Sequence, residues 1–105
     1  MHLILWEFRT REGREKEFEE VYGSGGDWAR LFQEDGEFLG TELFCDLDDP
    51  GRYVTLDRWV SRASYEAFRQ RWRAEYETLD ARCESLTRSE ALLGCFLAPG
   101  PDAEK

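Results

Sequence analysis

Two rhythms of apolar and polar residues alternate along this chain. From His2 to Thr10 the residues are mostly Leu, Ile, Trp and Phe, with charge arriving at Glu7 and Arg9, which reads as a strand. A strand's period of two puts Ile4, Trp6 and Phe8 on one face and Leu3 and Leu5 on the other. Arg11 to Gly13 turns the chain. The rhythm then becomes helical over residues 14–22, where Phe18, Val21 and Tyr22 fall at i, i+3 and i+4. Gly23-Ser24-Gly25-Gly26 is expected to end this helix through glycine's freedom to take positive φ. Asp27 is expected to cap a short helix carrying Trp28, Leu31 and Phe32 on one side.

After a turn at Asp35-Gly36, Phe38 to Asp46 and Tyr53 to Val60 read as two strands of a hairpin, joined by an acidic connection containing Pro50. Ser61 opens the strongest periodic stretch: Tyr65, Phe68, Trp72, Tyr76, Leu79, Cys83 and Leu86 advance in steps of three and four. That stripe is long for one helix, so a kink is expected near Ala74. Ser89 to Leu97 reads as a last strand, and residues 98–105 as a mobile polar tail.

The predicted order is β-α-β-β-α-β, a ferredoxin-like α+β plan with an antiparallel four-stranded sheet and its helices on one face. It forms a single domain over residues 1–97. Yet both sheet faces are apolar. Tyr53, Thr55, Asp57 and Trp59 alternate with Val54, Leu56, Arg58 and Val60, and Leu92, Gly94 and Phe96 with Leu93, Cys95 and Leu97. Helices cover only one face, so a homodimer packed through the other is expected.

Charge removes several function classes. The chain has 23 Asp+Glu against 14 Lys+Arg, which argues against nucleic acid and anionic membrane surfaces as partners. Arg69, Arg71 and Arg73 are flanked by Glu66, Glu75 and Glu77, the pattern of a solvated helix face. No apolar run reaches membrane-spanning length, the first residues lack the basic start of a signal peptide, and a cytoplasmic location is expected. Three cysteines, Cys45, Cys83 and Cys95, sit among apolar neighbours without CxxC spacing, so each reads as a small buried hydrophobe.

The candidate chemistry is aromatic. If Trp59 faces the helices, so do Asp57, Thr55 and Tyr53. Trp6 and Phe8 join them from the neighbouring strand, and Trp28, Phe32, Phe68, Trp72 and Tyr76 close the space from the helix side. This set reads either as a slot for a flat aromatic ligand or as filled core. A carboxylate among aromatics has its pKa raised by desolvation, which makes Asp57 a candidate base; an ion pair with a neighbouring arginine, or a strand-end carboxylate exposed to solvent, are the other readings. Glu7, Glu42 and Arg58 are charges within strands, and Arg58 is expected to pair across the dimer. One histidine, His2, leaves little for a metal site, and Asp46, Asp48 and Asp49 lack the calcium-loop pattern. No phosphate-binding glycine motif or nucleophile elbow is present, so no cofactor is expected.

Gly51-Arg-Tyr-Val-Thr-Leu-Asp-Arg-Trp59, running into Ser61-Arg-Ala-Ser-Tyr-Glu-Ala-Phe68, together with Gly26-Asp-Trp-Ala-Arg-Leu-Phe32, resembles the antibiotic biosynthesis monooxygenase-like family of the dimeric α+β barrel superfamily. The resemblance extends over about residues 3–97. It implies a pocket between sheet and helices in each protomer and a cofactor-independent monooxygenase acting on a small aromatic or polyketide-like substrate. It aligns the strand-end tryptophan of the haem-degrading members with Trp59, giving that residue a catalytic role beside Asp57. Their pocket asparagine falls near Phe8 and their iron-ligating histidine has no counterpart, which argues against haem degradation. The alternative is a non-catalytic, small-ligand-binding or structural homodimer of the same fold.

Overall fold

A computed structural model describes residues 1–99, so the expected tail lies, from residue 100 onward, outside the described residues. The elements are β1 (His2–Thr10), α1 (Glu15–Tyr22), α2 (Asp27–Phe32), β2 (Phe38–Cys45), β3 (Arg52–Trp59), α3 (Arg62–Arg71), α4 (Arg73–Cys83) and β4 (Thr87–Leu97). The sheet has the order β2-β3-β1-β4, with every neighbour antiparallel. This is the ferredoxin-like arrangement expected from the element order, with β1 and β3 at the centre. No helix among the described residues is long and apolar enough to cross a membrane.

The alternation in the two central strands sets the layers. Ile4, Phe8, Tyr53, Thr55, Asp57 and Trp59 are all buried beneath the helices. From above, Phe18 of α1 and Phe68 of α3 are fully buried against this face, each contributing roughly 2–3 kcal/mol through apolar area removed from water. Phe18 packs on Tyr53 and Phe8, with centroids 4.8 and 5.4 Å apart. Leu3, Leu5, Val54 and Leu56 on the opposite face are partly exposed, while Phe44 and Phe96 are 47% and 51% exposed.

Four local expectations are corrected. The long stripe breaks into two helices at Trp72, whose backbone (φ −107°, ψ 27°) leaves the helical region just before the predicted kink, and Leu86 is buried in the turn beyond Cys83 rather than in the helix. Gly23 and Gly26 do not use positive φ. A Cβ on Gly26 would stand 2.4 Å from the carbonyl oxygens of Glu20 and Val21, so close backbone approach is what requires glycine there. Asp27 lies inside α2 and is not its cap; its carboxylate pairs with Arg30 and Arg82 at 2.9 and 3.1 Å. Of the cysteines only Cys83 is buried, whereas Cys45 and Cys95 are exposed because both lie on edge strands that no helix covers fully.

The strand-borne charges pair within the chain. Arg58 meets Glu42 of the adjacent strand, contrary to the expected pairing across a dimer, and Arg52 bridges Glu7 at 2.7 Å and Asp46 at 2.9 Å. β4 departs from simple alternation as well. Gly94 lies opposite Leu5 and Leu92 opposite Trp6, which leaves Leu93 as a bulge. The extra residue flips the parity of residues 89–92, up to a second register shift at Arg88. Glu90 and Leu92 therefore share the helix-facing side with Phe8 and Trp6, while Gly94 and Phe96 lie on the open side with Leu5 and Leu3.

Candidate active site

Between the sheet and its helices is a cavity of about 50 Å³, room for a few waters with the side chains as they stand. Trp6 and Phe8 of β1, Thr55 and Asp57 of β3 and Thr41 of β2 form its floor. Tyr22, Trp28, Phe32, Tyr65, Tyr76 and Asp80 come from the four helices, and Glu90 comes from β4. Period-two spacing and register bring the floor together: Thr41 and Asp57 are direct cross-strand partners, as are Trp6 and Thr55.

Asp57 is the site's buried carboxyl, 7% exposed. Burial pushes it up from the ordinary 3.8 to about 6, and the hydrogen bond that Thr41 Oγ1 donates to Asp57 Oδ1 only partly opposes this. None of the ion pairs among the described residues involves Asp57. Its sequence neighbour Arg58 faces the other side of the sheet. The result is a carboxyl near neutrality in its titration, in an aromatic enclosure, able to take a proton from a ligand.

The helix side holds hydroxyls and further carboxylates. Tyr76 packs edge-on against Trp28, with centroids 4.9 Å apart. Burial is the main cause raising both Tyr22 and Tyr76 well above the usual phenol value, so both stay protonated as donors. Outside the cavity, the Arg69 guanidinium lies 3.8 Å over the Tyr76 ring and its Nη1 donates to the Tyr65 hydroxyl at 3.0 Å. Glu90 is raised by burial first and then by the charges of Asp80 and Glu84. Among the described residues no group of three or more His, Cys, Asp or Glu is placed to hold a metal ion.

The structure thus gathers Asp57, Trp6, Phe8, Trp28, Phe32 and Tyr76 on one wall system, and it places Trp59, Tyr53, Phe68 and Trp72 elsewhere. Trp59 shares a face with Asp57 but lies two residues along β3, beneath α3. It is 0% exposed, with the rings of Phe32, Phe38, Tyr65 and Phe68 at 5.1 to 5.6 Å, and its Nε1 has no hydrogen-bond partner among the described residues. Tyr53 lies toward the other end, its hydroxyl donating to Glu19 at 2.6 Å. Phe68 fills core beside Trp59, and Trp72 forms the joint between α3 and α4. Tyr22 and Tyr65, absent from the expected pocket, were visible in sequence as members of apolar helical stripes. Thr41 needed the strand register, and Glu90 the bulge at Leu93.

Comparison with known proteins bears on the fold and the family. Solved structures of similar shape include SnoaB from Streptomyces nogalater, described as a cofactor-independent oxygenase, at a TM-score of 0.76 and 17% identity over 94% of this chain and 93% of that one. PA3566 from Pseudomonas aeruginosa gives 0.67 and 12% over 94% of each chain. A MhuD variant solved with two manganese protoporphyrin IX molecules per active site gives 0.60 and 17% over 91% and 92%. No curated protein matches the chain. The family model for antibiotic biosynthesis monooxygenases matches residues 1–77, from β1 into α4. This chain belongs to the antibiotic biosynthesis monooxygenase family.

Proposed function

We propose that this protein is a cofactor-independent monooxygenase of small, electron-rich aromatic substrates, with Asp57 as the general base. The observation that carries this reading is the buried, cation-free carboxyl of Asp57 on the floor of an aromatic cavity. Family membership supports it, as does likeness to SnoaB. A hydroquinone placed against Asp57 loses a phenolic proton to the carboxylate. The resulting phenolate is electron-rich enough to pass an electron to O2. The superoxide and semiquinone radical so formed combine at a ring carbon, and the proton held by Asp57 passes to the peroxide to give a hydroperoxide. Loss of water then leaves a hydroxyquinone. The balance is one hydroquinone plus one O2 giving one hydroxyquinone plus one water, with one oxygen atom of O2 retained in the product.

The walls suit this course. Thr41 holds Asp57 Oδ1, leaving Oδ2 to take the proton. Trp6, Phe8 and Trp28 supply flat apolar surface for a ring. Half-buried Tyr65 and Tyr76, with Arg69 bonded to the first and stacked on the second, turn outward together to admit a ring. Trp59 takes no direct part in this scheme: it is enclosed by four aromatic rings, and it supports the floor through packing.

The test is oxygen uptake with labelled O2 over a panel of hydroquinones and naphthalene diols. Asp57→Asn should lower turnover by at least about a hundredfold, the size of a general-base contribution, while the circular dichroism spectrum stays unchanged. Turnover intact in Asp57→Asn overturns the base assignment. Tryptophan quenching by ligand without label in any product favours the non-catalytic binding reading.

We also propose that the open face of the sheet receives a second copy of this chain. Leu3, Leu5, Phe44, Val54, Leu56 and Phe96 make that face apolar, and half of Phe96 is in contact with water in the single chain. The strand charges on this face pair within the chain, so the contact requires no ion pair from the partner.

A further inference from the structure

The charged lining of the cavity has one sign. Asp57 lies at the floor, Asp80 reaches in from α4 and Glu90 from β4, and no lysine or arginine contributes to the wall. Arg69, the basic residue beside the two outer tyrosines, is held outside by stacking on Tyr76 and by its bond to Tyr65. The charge of Asp80 acts on Glu90, and the charges of both act on Tyr76, so the half-buried Asp80 of α4 and the exposed Glu90 of β4 lie around the same tyrosine. Glu84 adds a third negative charge near Glu90 from the turn after α4. The polar remainder of the wall consists of threonine and tyrosine hydroxyls and the indole N–H groups of Trp6 and Trp28, of which Trp28 Nε1 is buried without a hydrogen-bond partner among the described residues.

From this lining we infer that the cavity selects aromatic substrates whose substituent beyond the reacting ring is an uncharged hydrogen-bond donor, and rejects those bearing a carboxylate. The inference deepens the reading of this cavity as the substrate site and rests on it. A hydroxyl or hydroxymethyl group finds two carboxylate acceptors at Asp80 and Glu90. A carboxylate there meets two like charges, while Arg69, the nearest cation, is already engaged by Tyr65, Tyr76 and the charge of Asp80. The bulge at Leu93 is the structural device, because it turns Glu90 to the helix side of the sheet.

The experiment compares two ligands alike except at one group, hydroxymethyl-hydroquinone and the matching dihydroxybenzoate. Binding is read anaerobically by quenching of tryptophan fluorescence, since Trp6 and Trp28 line the cavity. The neutral ligand should bind at least about tenfold tighter, the expectation for one unfavourable charge contact at partly screened range. Asp80→Asn with Glu90→Gln should bring the ratio within about threefold, and each single substitution should give an intermediate value. Equal or tighter binding of the carboxylate to the unaltered protein overturns the inference, as does a ratio unchanged in the double variant, or no binding of either ligand at millimolar concentration. Turnover is measured separately in air. Preference for the neutral ligand without oxygen uptake would sink the oxygenase reading and leave the selectivity in place. Oxygen uptake with equal affinity for both ligands would do the reverse.

Discussion

Burying Asp57 has opposite consequences for stability and for chemistry, and both depend on pH. Its folded value of about 6 lies above the ordinary 3.8, so the folded state holds this proton more tightly than the unfolded chain. The protonated form favours folding. That advantage is full below about pH 4 and is lost as pH rises through the window to about 6, a swing of about 3 kcal/mol for a displacement of about two units. Asp57→Asn should therefore unfold at higher urea than the unaltered protein at pH 8, by about 2 kcal/mol, with the gap closing near pH 4. Catalysis runs the other way. The base must be ionised, so kcat/KM should fall on the acid side with an apparent pKa near 6. A flat profile from pH 5 to 8 would exclude Asp57 as the group that titrates.

At the scale of elements, caps and breaks matter more than propensity. Ser61 precedes α3 in an extended conformation, accepts a bond from the Ser64 N–H at 3.1 Å, and is answered by Ser64 Oγ accepting from the Ser61 N–H at 3.0 Å. This reciprocal cap fixes where α3 leaves β3, and hence where Tyr65 stands over the cavity. Ser61→Ala should cost about 1 kcal/mol, a fall of about 4–8 °C in Tm for a domain of this size, read by thermal denaturation. The joint at Trp72 has a different effect. It divides the stripe into two short helices whose apolar residues still face the sheet, so Phe68 fills core while Tyr76 and Asp80 reach the cavity.

At the scale of the whole molecule, the proposed pairing rests on the apolar open face of the sheet. With a chain mass of 12.4 kDa, the proposed dimer should scatter light as a particle of about twice that mass at micromolar concentration. Leu56→Asp or Phe96→Asp places a charge in the contact and should return the protein to its monomer mass with the helical spectrum retained. A single-chain mass for the unaltered protein would sink the proposed pairing.

Sequence by itself determined the element order and which residues of β1 and β3 share a face, because strand alternation and helical stripes are local consequences of hydrophobic period. It also carried the family resemblance. The tertiary structure decided which of those aromatics enclose space and which fill it. Trp59 and Asp57 have the same parity on one strand, and only the position of α3 puts the first in packed core and the second on a cavity wall. Thr41 reaches Asp57 through cross-strand register, a long-range property that no local pattern encodes. The parity of β4 was misread for a related reason: one bulged residue at Leu93 reverses the faces of residues 89–92, until a second irregularity at Arg88 restores them. That reversal, invisible in the alternation of Leu92, Leu93 and Gly94, is what turns Glu90 toward the site and gives the cavity its single sign of charge.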